Sequence, residues 1–138
     1  MRLETWDLGL ETTDEDRNMR QFRNILAWQK ADDLVIEIYK ITKDFPRDEL
    51  YSLVSQMRRS ATSVAANIAE GSSRSTTKDY LHFLNIAKSS LTELEYYLHL
   101  TNRLGYLDEI NYERLDKQQD ETARLIYGLI AYIEKNGN

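Results

Sequence analysis

"SQMRRSATSVAANIAEGSSRSTTKDY", Ser55 to Tyr80, begins as an amphipathic helix and ends in a Gly-Ser-Ser-Arg-Ser-Thr-Thr break. Placed at 100° per residue with Met57 at zero, Leu50, Leu53, Val54, Met57, Ala61, Val64 and Ile68 fall within about 60° either side. That stripe is a core face. Glu49, Gln56, Ser60, Ser63 and Asn67 gather on one flank, and Arg58, Ala65 and Ala69 on the other. Arg59, Ala66 and Glu70, with Ser55 and Thr62, are left for the back. Two readings compete for so many small and polar side chains. Serines bond back to their own helix carbonyls and alanines are good helix formers, so neighbours in one bundle account for them. Alternatively the helix is covered on more than one side, because a second copy packs against it. The second reading makes Gln56, Ser60, Ser63, Ala66, Asn67 and Glu70 candidate oligomer-interface residues.

Outward from this segment the chain reads as helix on both sides. Pro46 suits a first helical turn, where its missing N–H costs nothing, so this helix spans about 46–70 with Gly71 as its stop. Before it, Ala27, Ala31, Leu34, Val35, Ile38 and Ile41 form one stripe over about 25–43, ended by Asp44-Phe45-Pro46. Trp28 lies off that stripe and is expected to pack on a neighbouring helix or subunit. After it, Tyr80, Leu81, Leu84, Ala87, Leu91, Leu94, Leu98 and Thr101 predict a helix over about 77–103. Ser75 or Thr76 can cap it, Thr76 with Asp79 resembling a capping box, and Gly105 terminates it. Leu115, Gln119, Thr122, Ile126, Leu129 and Ile133 predict a last helix over about 109–135, capped by Asp108. Short links between long helices predict an all-α, antiparallel up-down-up-down four-helix bundle.

Composition agrees. The 138 residues include one proline, five glycines and no cysteine, which favours long helices and excludes disulfides. Hydrophobic residues are 41% and charged residues 30%, usual for a folded soluble protein. The net charge is -5, and residues 1–17, with six acids and two bases, carry most of it. Residues 1–21 read as an acidic flexible tail and 22–138 as the bundle domain. Within the tail, Trp6, Leu8 and Leu10 suggest an alternative, a segment that docks on a partner subunit. No apolar h-region and no membrane-length apolar run occur, so a cytoplasmic protein with no membrane partner is expected.

Chemistry is sparse. His82 and His99 lie 17 positions apart on one helix and about 260° round it, so they cannot share a site. Asp79-x-x-His82 is not repeated on another helix, as a di-metal bundle would require. "EGSSRS" follows a helix and lacks the context of a phosphate-binding loop. No catalytic residue, metal or cofactor is assigned. Arg59, Arg74 and Lys78 are the candidate nucleic-acid contacts, the last two beside a hydroxyl-rich connection. Arg74 can also pair with Glu70 at i+4, the solvated-face alternative. Arg58, nearer the core edge, is read as a structural cation, with Glu49 or Glu93 as partner.

"LAWQKADDLV", "YKITKDFPRDELYSLVSQMRRSATSVAANIAEG" and "FLNIAKSSLTELEYYL" resemble the four-helix-bundle proteins encoded in intervening sequences of bacterial 23S ribosomal RNA genes. The likeness covers about residues 22–135. The Asn-Ile-Ala-Glu-Gly run after Arg58-Arg59, with Phe45-Pro46 upstream, carries it. Ala65 stands where that family commonly has proline, and Ser89 where it has glycine. The resemblance implies a homopentameric ring and no established enzyme activity. The chain is also similar to accessory variability proteins of diversity-generating retroelements, which implies nucleic acid and a reverse transcriptase as partners. The expectation is a non-enzymatic homo-oligomeric scaffold that associates with RNA or DNA. The alternative is a protein–protein adaptor that binds no nucleic acid.

Overall fold

A computed structural model describes residues 21–136. The first twenty residues, and with them nearly all of the acidic tail, lie outside the described residues. After a 3-10 turn at Gln21–Asn24 come four long helices: α1, Leu26–Thr42; α2, Ser55–Ser72; α3, Thr77–Arg103; and α4, Glu109–Asn136. No strand occurs among the described residues.

Each helix packs on its sequence neighbours, and α1 closes the square against α4. The α2–α3 pairing is the most extensive. Directions follow from cross-helix partners. Arg58 meets Tyr39 and Thr42, Ser63 meets Ser90 while Arg59 meets Glu93, and Arg114 meets Glu37. Residue numbers rise on one helix as they fall on its neighbour, so the bundle is antiparallel.

The core is the set of stripes expected from spacing. Ala27, Ala31, Leu34 and Ile38 of α1 meet Met57, Ala61, Val64 and Ile68 of α2. Leu84, Ala87, Leu91, Leu94 and Leu98 of α3 and Leu115 and Ile126 of α4 close it. Gln119 and Thr122 of α4 are buried with them. Burying a single leucine or isoleucine is worth about 1.5–3 kcal/mol, so these layers dominate stability.

Two details depart from the sequence expectation, and a third agrees with it. The segment before α2 is not one α-helix: a 3-10 turn, Arg47–Glu49, runs into a π-helical turn, Leu50–Val54. The wider i→i+5 turn rotates the positions preceding it out of the α register. Leu50, assigned to the core stripe, is therefore 44% exposed, and the stripe begins at Val54. Gly71 does not stop α2 through a left-handed cap, because Gly105 is the one glycine with positive φ among the described residues, at 82°. Gly71 is buried against α3, where an added Cβ would lie 3.0 Å from Phe83 Cβ. Finally, α2 runs unbroken through Ala65, as expected where alanine replaces a helix-kinking proline.

The caps hold. Thr76 Oγ1 accepts from the Asp79 amide at 3.1 Å and Asp108 Oδ1 from the Asn111 amide at 2.8 Å. Gly105 takes the left-handed φ that closes α3.

Candidate oligomer and nucleic-acid face

The candidate residues of α2 separate by depth. Ser60 is fully covered inside the chain, its hydroxyl donating to the Met57 carbonyl at 3.0 Å. It leaves no surface for a second copy. Ser63 and Asn67 are half-buried beside α3. Ser63 Oγ lies 2.8 Å from Ser90 Oγ, and Asn67 Nδ2 donates to the Ser63 carbonyl at 2.8 Å. Gln56, Arg59, Ala66 and Glu70 are exposed. Positions 56, 59, 63, 66, 67 and 70 thus make a second stripe on α2, polar and small, beside the buried one, with Arg74 just past the helix end. Across it on α3, His82, Asn85, Ile86, Ser89, Ser90 and Glu93 line a shallow hollow of about 370 Å³.

The two adjacent arginines have different tasks. Arg58 turns to α1: its Nε donates to Thr42 Oγ1 at 3.0 Å, and its guanidinium lies 4.6 Å from the Tyr39 ring centroid. The expected structural role is present, but with α1 rather than with Glu49 or Glu93. Arg59 takes Glu93 instead, and its Nε donates to Gln56 Oε1 at 3.0 Å. Tyr97 donates to the same Glu93 carboxylate at 3.1 Å. Burial, then that carboxylate, raises the Tyr97 pKa above its usual value. Glu49 accepts from Tyr106 at 2.9 Å.

At the opposite end of α2, Arg74 pairs with Glu70 at 2.6 Å and lies over the Phe83 ring at 4.6 Å. Lys78 is exposed and makes no ion pair with a described residue. Arg59 and Arg74 are therefore half-exposed cations already held by a carboxylate each. Such pairs contribute little to stability, about 0–1 kcal/mol, and can be opened by a competing anion. Trp28 is half-buried against the core, edge-on to Phe22 at 4.9 Å.

His82 and His99 are both exposed and on separate faces. No group of metal-ligating side chains forms among the described residues, and none of their helices is long and apolar enough to cross a membrane. The feature that sequence reading missed is the exposure of Tyr51, at 92%. It follows from the π turn, which hydrophobic periodicity does not signal.

Comparison with known proteins gives a family. A model described as 23S rRNA-intervening sequence protein matches residues 23–128. A solved structure is similar over 77% of this chain and 96% of its own, at 27% identity and a TM-score of 0.72. It is described as a protein with unknown function from the S23 ribosomal protein family, from Bacteroides thetaiotaomicron. No curated protein matches the chain.

Proposed function

We propose, starting from the fact that this chain belongs to the 23S rRNA-intervening sequence protein family, that it is a non-enzymatic, self-assembling scaffold for nucleic acid. The observation that supports this most is the second stripe of α2. Its small side chains permit close approach of another helix, and its row of half-exposed arginines offers charge to phosphate. Copies brought together in a ring would present Arg59, Arg74 and Lys78 several times over. A weak contact repeated in this way gains strength by effective concentration. A homopentamer in the cytoplasm, meeting RNA or DNA and a protein such as a reverse transcriptase, is the full form of the proposal.

Each arginine must exchange a carboxylate for a phosphate, so affinity should be modest and steeply salt-dependent. Titrating a structured RNA from 50 to 300 mM salt tests this. The expected slope is negative, and it becomes shallower by about one unit for each phosphate contact removed in Arg59→Ala or Arg74→Glu. Binding without salt dependence, or unaltered by both substitutions, would overturn the site. No binding at low salt would favour the adaptor reading, in which the same face holds only protein.

A further inference from the structure

The end of the bundle holding the α1–α2 connection carries a groove unrelated to the second stripe's serines. It consists of two adjoining hollows of about 270 and 370 Å³ that share Leu50, Val54 and Arg58. The π turn shapes it by holding Leu50 and Tyr51 outward, opposite Tyr39 of α1. Four cations line the two hollows: Lys43, Arg47, Arg58 and Arg59. Among the described residues no carboxylate lines either, and Asp44 and Asp48 of the same connection stay outside. An apolar groove walled by cations selects an occupant with apolar side chains interleaved with acids.

The chain contains one such sequence outside the described residues. Glu4 to Glu11, "ETWDLGLE", places Trp6, Leu8 and Leu10 at every second position with Glu4, Asp7 and Glu11 around them. In an extended strand those three apolar side chains share one side. Reach is sufficient. The stretch from Glu11 to Gln21 can span up to about 35 Å, whereas α1, whose far end walls the groove, is about 26 Å long. We propose that residues 4–11 dock intramolecularly in this groove, with Trp6, Leu8 and Leu10 against Tyr39, Leu50 and Tyr51 and the acids against the cationic walls. This docking does not require the nucleic-acid reading, although Arg59, which pairs with Glu93, borders both faces.

The chain has no cysteine, so two introduced thiols report on each other alone. Gly9→Cys is combined with Ser55→Cys, an exposed position lining the groove. The reference combines Gly9→Cys with Tyr132→Cys, which is 62% exposed at the end of the bundle where α1 begins. An undocked segment of this length wanders about 20 Å from its root and favours the nearer thiol, Tyr132→Cys. Docking predicts the reverse: under mild oxidation, intramolecular cross-linking to Ser55→Cys at least about tenfold faster than to Tyr132→Cys. Lys43→Glu with Arg47→Glu should abolish that preference, as should high salt. Equal or slower cross-linking to Ser55→Cys, or a preference indifferent to both charge reversal and salt, would overturn the proposal. So would disulfides found only in covalent dimers, which would place the segment on a second copy.

Discussion

Gly71 and Gly128 both lie within helices, and the same substitution should act on them in opposite directions. At Gly71 a Cβ would meet Phe83 and Tyr80 at 3.0 Å and the Tyr80 carbonyl at 3.2 Å. Overpacking of that kind costs about 1–3 kcal/mol, more than the roughly 1 kcal/mol alanine gains in a helix. At Gly128 nothing lies within 4 Å, so only the helix gain remains. Thermal unfolding should show Gly71→Ala less stable by about 1 kcal/mol and Gly128→Ala more stable by about 0.5–1 kcal/mol. The adjacent Arg58 and Arg59 show what a wheel can resolve at this scale. It puts them about 100° apart and so on different faces. It does not say which acids the other helices bring to each face, and the Glu93 pairing went to Arg59 rather than Arg58.

At the level of elements, the caps and links are where local chemistry acts. Thr76→Ala removes the oxygen that accepts from the Asp79 amide and should cost about 1 kcal/mol in urea unfolding. Tyr106, in the α3–α4 connection, donates to Glu49 beside the π turn and so ties two connections together. That hydrogen bond, reinforced by burial, raises the Tyr106 pKa above its usual value. The folded state therefore holds this proton more tightly than the unfolded chain does. The stabilisation is complete below about pH 10, where the unfolded tyrosine ionises, and is lost as pH climbs through the raised folded value. Melting temperature measured from pH 8 to 11 should fall less for Tyr106→Phe than for the parent; an equal fall in both would show the bond does not matter. Tyr97, raised by burial and by Glu93, keeps part of the fall in either protein. The boundaries of α1, α3 and α4 were legible to within a residue or so, because each has a clear stripe, α3 and α4 start at a capping residue, and α1 ends before Asp44-Phe45-Pro46. The entry to α2 was not. Apolar periodicity assumes a constant α turn, and "LYSLV" carries no residue type that announces a π turn. The exposure of Leu50 and Tyr51, and with it the cationic groove, was hidden for the same reason.

Taken as a whole, the molecule satisfies its core with one stripe per helix and still leaves the second stripe of α2 only partly sealed. Ala66 is exposed, Ser63 and Asn67 are half-buried, and Arg59 and Glu70 rim the row. Sequence patterning predicted that this face differs from an ordinary solvated one. Its depth was not legible, because Ser60 and Ser63 both sit on the flank of the wheel, yet only Ser60 is fully enclosed. If copies meet on this face, an exposed large side chain such as Tyr96, 55% exposed, also has a neighbour to cover it. Static light scattering on the full chain across micromolar concentrations tests this self-association most directly. The account predicts a closed assembly, with a mass near five times 16.2 kDa. A mass of 16.2 kDa at every concentration would contradict it.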